Sequence, residues 1–350
     1  MSVQQELYQL KNKLEDLRSA DGNQYFEKSV DPLNLNLQKR RDLRGHFGKV
    51  YSIHWAGKDS QSIVSASQDG KLIVWNADTT NKIQAIPLRS SWVMTCAYEQ
   101  ENNELVACGG LDNICSVFKL NSADSGAGTR PIKMLAGHDG YLSCCRFMGS
   151  SHIVTSSGDS SCRYWDVEKN ECLNEFQDHP TDVMSVSPHP HNNNVFVSGS
   201  CDTYCKLWDI RAPVAGEVHP QATFRGHESD INSTAFFPDG NAFGTGSDDA
   251  SCRLFDIRCY KQTNIFKNQQ ILCGITSVAF SSSGRVLFGG YDDFNVIGWD
   301  TLQNPSEETE DADYVFQQKK HENRVSCVAV QSDGKALATG SWDTLIKIWA

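Results

Sequence analysis

Seven times along the chain a run of small and polar residues ends in an aspartate, and a short strand of alternating apolar and polar positions follows. Each strand closes on a large aromatic six residues after the aspartate: Asp69/Trp75, Asp112/Phe118, Asp159/Trp165, Asp202/Trp208, Asp249/Phe255, Asp293/Trp299 and Asp343/Trp349. Directly before the aromatic stand Val74, Val117, Tyr164, Leu207, Leu254, Gly298 and Ile348. One step further back stand Ile73, Ser116, Arg163, Lys206, Arg253, Ile297 and Lys347, polar in five of the seven. Period two with one apolar face predicts a half-buried strand. A second strand precedes each aspartate and ends in small residues, as in Ser65-Ala66-Ser67, and a first strand precedes that, as in Val183-Met184-Ser185-Val186. The aromatics are 43, 47, 43, 47, 44 and 50 residues apart. That is the period of a four-stranded propeller blade, so the pattern predicts an all-β, seven-bladed propeller with one continuous core.

The last repeat stops at its third strand. The segment before His46 must therefore supply the missing outer strand, which closes the ring and leaves no unpaired edge. The propeller is assigned to residues 42–350, a linker to 23–41 and a helix to 1–22. Leu7, Leu10, Leu14 and Leu17 form a heptad seam flanked by charges, and Asp21-Gly22 stops the helix. A helix so short is marginal alone in water. It could pack on its own domain or form half of a two-chain coiled coil, and the narrow stripe favours the coil. Two insertions interrupt the rhythm: a Ser/Gly/Ala-rich loop over 121–131 and an acidic loop over 304–313.

Charge and cysteines narrow the function. The formal net charge is −11, which argues against nucleic acid as a main partner. The 13 cysteines are scattered, with no CxxC pair. Four of them, Cys115, Cys162, Cys205 and Cys252, share one repeat position that Leu72, Val296 and Ile346 fill elsewhere, so they behave as small buried hydrophobes in a reducing setting. No apolar run is long enough to span a membrane.

Histidine is the residue most suggestive of catalysis. His46, His138, His179, His227 and His321 each precede a turn aspartate (Asp69, Asp159, Asp202, Asp249, Asp343) by 21 to 23 residues. A ring of repeats disperses them, one per blade. Each is expected to hydrogen-bond its own blade's aspartate, which also caps a tight turn. Blades two and six lack this histidine. There is no P-loop, GxSxG or HExxH, and Cys201-x3-Cys205 has poor metal spacing. Neither a metal, a cofactor nor an enzymatic activity is expected.

Function is sought where the blades disagree. Two positions diverge on one mouth of the channel. The first directly precedes the inner strand: Lys49, Trp92, Tyr141, Asp182, Asp230, Gly274 and Arg324. The second directly precedes the turn aspartate: Gln68, Leu111, Gly158, Cys201, Asp248, Asp292 and Trp342. Neither follows an apolar rule, so both should face solvent. Trp92, Tyr141, Leu111 and Trp342 nevertheless place large apolar groups there, beside Asp182, Asp230 and Asp248. Aromatic anchors rimmed by charge have the makings of a protein-binding hot spot. Met94 and Met184, further in, add adaptable surface.

Longer runs carry a resemblance. Ser65-Ala66-Ser67-Gln68-Asp69-Gly70-Lys71-Leu72, Ile86 through Tyr98, Ala107 through Ser116, Gly226 through Asn232 and Gly290 through Asn295 resemble the β subunits of heterotrimeric G proteins, over nearly the whole chain. The resemblance implies a seven-bladed WD40 propeller whose N-terminal helix coils with a small γ subunit. It implies a channel face that binds GDP-bound Gα and, after Gα leaves, effectors. The matching residues are Lys49, Tyr51, Gln68, Trp92, Met94, Leu111, Asn113, Tyr141, Asp182, Met184, Asp230, Asn232, Asp248 and Trp342. A second contact, to the N-terminal helix of Gα, falls on Phe47, Lys71, Ile73 and Lys82. Presentation to a receptor, and a cytoplasmic location at the inner face of the plasma membrane through lipid on γ, are implied as well. Phe47 stands where the family commonly has Leu, Gln84 where a His is common, and the acidic insertion is long. A rival reading is a generic WD40 scaffold or substrate adaptor, which would need a docking motif in place of the leucine-seamed helix.

Overall fold

In a computed structural model of the chain, the residues described are 35–57, 61–120, 130–211, 213–214, 217–303 and 312–350. The leucine-seamed helix (Leu7, Leu10, Leu14, Leu17), most of the linker, and the greater part of both insertions lie outside them.

Seven four-stranded antiparallel sheets form the ring, with one extra two-stranded hairpin, Pro213–Val214 with Glu217–Val218, before the outer strand of blade four. Blade one shows the plan, running from the channel outward as Val50–Trp55, Ser62–Ser67, Lys71–Asn76 and Lys82–Pro87. Blade seven takes three strands from the end of the chain and its outer strand, Lys39–Leu43, from before the first repeat. Leu43 pairs with Ile346, and Gln38 and Ala350 exchange backbone bonds of 3.2 and 3.1 Å. This strand begins three residues before the boundary at 42, so Lys39-Arg40-Arg41 belong to the propeller and not to a linker. Arg40 Nε donates to the Ala350 carbonyl at 3.0 Å.

The cores lie between blades. Leu43, Val50, Ile53 and Trp75 share one cluster with Cys327, Ala338 and Ile348, which joins blade one to blade seven. Five further clusters bridge successive pairs from blades one and two through blades five and six. Face-to-face stacking corrects the expected half-buried third strand in four blades, while Ser116, Arg163 and Arg253 stay half-buried as expected. A neighbouring blade covers each face, so Ile73, Ile297, Lys206 and Lys347 are all buried. The two lysines are tolerated because each meets a carboxylate: Lys206 pairs with Asp178, and Lys347 lies 3.5 Å from Asp42.

The five histidines lock the blades. In each, Nδ1 lies 2.6–3.1 Å from the turn aspartate and Nε2 lies 2.6–2.8 Å from a buried Ser or Thr hydroxyl on the second strand. In four of these blades the tryptophan indole N–H donates to the same hydroxyl, at 2.8–2.9 Å. An ionised aspartate makes Nδ1 the donor, leaving Nε2 to accept from the hydroxyl. Burial works against ionisation of these carboxyls, but the histidine bond and backbone N–H donors outweigh it and hold all five below the usual range.

Candidate partner-binding face

The two divergent positions meet in every blade. The backbone N–H of the residue before the turn aspartate donates to the carbonyl of the residue before the inner strand: Gln68 to Lys49, Leu111 to Trp92, Gly158 to Tyr141, Cys201 to Asp182, Asp248 to Asp230, Asp292 to Gly274 and Trp342 to Arg324, at 2.9–3.4 Å. A uniform backbone frame thus carries fourteen side chains of unlike chemistry, and none of the fourteen residues is buried. Asn113 stands on the turn below Leu111 with its backbone in the left-handed region, at φ 61°.

The inner strand re-aims one more residue per blade. Its register slips at the second residue in every blade, for example between Val50 and Ser52 and between Val183 and Ser185. A bulge there turns the intervening side chain out of the ladder and into the channel. Those residues are Tyr51, Met94, Ser143, Met184, Asn232, Thr276 and Ser326. Ser143, Asn232, Thr276 and Ser326 spend their polar groups on the carbonyl of the next blade, at Val183, Ile275, Val325 and Val50. Tyr51, Met94 and Met184 make no such tie and line a channel space of about 280 Å³ together with Arg324 and Trp342.

Chemistry is unequal around this mouth. On blades seven, one and two, Tyr51 lies between Trp342 and Trp92, at ring-centroid distances of 6.0 and 6.4 Å. Lys49 Nζ sits 3.8 Å above the Trp342 ring and the Arg324 guanidinium 5.0 Å from it. The Trp342 indole N–H is buried without a hydrogen-bond partner among the described residues. Trp92 and Leu111 are 44% and 53% exposed, large for residues of this size. Trp92 holds φ at 64°, a strained setting for a bulky side chain.

Blades four to six carry acid. Asp182, Asp230, Asp248 and Asp292 stand along the rim, and only Asp292 has an ion-pair partner among the described residues, Arg324 Nε at 2.6 Å. The Tyr141 hydroxyl donates to Asp182 at 2.8 Å and lies 3.5 Å from Met184 Sδ, while Asn232 donates to Asp248 at 2.6 Å. Burial and then Asp182 push the Tyr141 hydroxyl up, so it stays a neutral donor. The Cys201 thiol is pushed up to about 12 by burial and the adjoining Asp230. It is therefore a neutral filler and not a nucleophile.

The outer flank of blade one is a separate patch. Phe47 is 84% exposed, with Lys71 Nζ 5.3 Å from its ring, and Lys82 Nζ donates to the Gly45 carbonyl at 3.4 Å. Ile73 is a correction. It is 1% exposed, packed in one cluster with Leu43, Ile63 and Trp75, so it supports the flank from inside and cannot present a side chain to a partner.

Arg324 occupies one of the two divergent positions but carries no aromatic signal that would single it out in the sequence. Its contact with Trp342 joins it to the site. Among the described residues no group of His, Cys, Asp or Glu is placed to hold a metal.

Comparison with known proteins agrees with this architecture. Residues 1–350 match the family of G protein beta WD-40 repeat proteins. The chain is 51% identical over 352 residues to a guanine nucleotide-binding protein G(I)/G(S)/G(T) subunit beta-1 from Homarus americanus, covering 99% of this chain and 98% of that protein. A whole-length match at that identity settles kinship: the chain belongs to the G protein beta WD-40 repeat family.

Proposed function

We propose that the chain works as the β subunit of a heterotrimeric G protein, a signalling scaffold without catalysis, and that the channel mouth is where GDP-bound Gα docks. Nucleotide exchange and hydrolysis then take place on Gα. The seam Leu7, Leu10, Leu14 and Leu17 coils with a γ subunit, and lipid on γ brings the dimer to the cytoplasmic face of the plasma membrane. Receptors act on the assembled trimer, and effectors compete for the same face once Gα leaves.

One observation carries this reading. The fourteen divergent residues share one backbone frame and one mouth, and they gather half-exposed aromatics beside an acidic arc. Desolvated rings ringed by charge are how protein interfaces concentrate affinity. The Phe47, Lys71 and Lys82 flank supplies a second, more exposed contact for the N-terminal helix of Gα.

Co-expression tests the assembly. The chain with a γ subunit is expected to be soluble and monodisperse, and to retain Gα only in its inactive nucleotide state. A monodisperse chain produced without any γ-like partner would remove the coiled-coil assignment.

A further inference from the structure

Five blades fill the space between outer loop and turn aspartate with a histidine ring. Blade six fills it differently. Tyr291 is fully buried, its hydroxyl accepts the Trp299 indole N–H at 3.0 Å, and Gly289 at the hydroxyl position makes room for its ring. Blade two does neither. Arg89 or Ser90 falls at the histidine offset, Cys108 at the hydroxyl position, Gly110 at the small position and Phe118 at the tryptophan position. A cavity of about 90 Å³ lies there, lined by Leu88, Arg89, Cys108, Asp112, Phe118 and Met134 among others.

The turn aspartate is kept without its ring. Asp112 is exposed and among the described residues makes one hydrogen bond, from the Ile114 N–H at 3.4 Å, whereas the five paired aspartates each bond a histidine. Cys108 is buried, and burial raises its thiol far above the ordinary value, so it offers only a weak neutral S–H.

We propose that this slot is a binding site for a small five-membered nitrogen heteroaromatic ring of the imidazole class. Shape, size and polarity converge on it. The same backbone frame holds an imidazole in five other blades. The volume is below the roughly 150 Å³ that holds benzene in an engineered cavity. Asp112 accepts the ring N–H, and the Leu88, Phe118 and Met134 side chains cover the ring faces. Trp92 also lines the slot, so an occupant stiffens the loop that carries it.

Imidazole itself is the probe, titrated into the full-length chain in its native complex at pH 8, with the Met134 methyl resonance as readout. Saturable one-to-one binding is expected, with Asp112→Ala weakening it at least fivefold. Ser116→Ile, which places at this position the residue that blades one and six already carry at Ile73 and Ile297, should crowd the slot and abolish binding without unfolding the blade. Absence of a saturable Met134 shift, unchanged affinity in both variants, or tighter binding of benzoate than of imidazole would overturn the proposal.

Discussion

Lys49 Nζ lies 3.8 Å from the centroid of the Trp342 ring, a contact that crosses the seam where blade one meets blade seven. With the Arg324 guanidinium 5.0 Å away, the ring meets two cations. Trp342→Ala should therefore weaken binding of Gα-GDP by about 2 kcal/mol or more. Lys49→Ala should cost about 0.5–1 kcal/mol, the scale of one partly exposed cation–π contact. Trp342→Phe keeps a ring and should fall between them. Calorimetric titration of the three variants checks the order.

Trp92 separates binding from stability. Its backbone sits at φ 64° while its ring is 44% exposed. A strained backbone of this kind costs on the order of 1–3 kcal/mol. Trp92→Gly relieves that strain and should leave unfolding stability equal or higher. It removes the ring, so Gα-GDP affinity should drop by about 2 kcal/mol or more. Denaturant midpoints measured beside affinities distinguish this from general damage, which would lower both.

Acid should unfold the protein in two limbs. Burial, and then the Arg146 guanidinium, lower His54 to about 3. A histidine so depressed stabilises the fold above its unfolded pKa of about 6.5, and that contribution fades as pH falls toward 3. The five turn aspartates are also depressed, so their contribution is intact above about 3.9 and is lost below it. Stability should be greatest near pH 7, decline below about 6.5 and fall more steeply below about 4; it should also decline as pH rises toward about 8.5, because burial raises thiols such as Cys96, Cys108 and Cys205. His54→Gln should shrink the first limb, the remainder coming from His227 and His189, which burial also lowers, as followed by urea melts across that range.

The ring is closed by the strand Lys39–Leu43. Leu43 is 1% exposed and belongs to the core that joins blades one and seven. Leu43→Ala should cost about 2–5 kcal/mol. Lys39→Ala on the same strand, whose Nζ meets Asp42 at 3.1 Å on the surface, should cost under about 1 kcal/mol. Thermal denaturation of the pair reads the difference.

Most of this is legible in the sequence repeat. The offset from Asp343 to Trp349, repeated seven times, gave the blade count, and the short seventh repeat gave the closing strand. Disagreement among blades pointed to Trp92, Tyr141 and Trp342. Other features needed three dimensions. The burial of Ile73 follows from a neighbouring blade that no local alternation reveals. The bulge that turns Tyr51, Met94 and Met184 into the channel depends on pairing register, which a strand pattern does not encode. Tyr291 replaces a histidine from a different position in its repeat, so an offset search passes over it.

Recognition of GDP-bound Gα by one mouth of the propeller is the proposal on which the others depend. The direct measurement is the affinity of the purified chain, in its γ complex, for Gα loaded with GDP and then with a non-hydrolysable GTP analogue, repeated for Trp92→Ala and Asp230→Ala. Tight binding to the GDP form alone, weakened tenfold or more in both variants while their thermal midpoints stay near wild type, is the predicted result. Equal affinity for the two nucleotide states, or wild-type affinity in both variants, would contradict it.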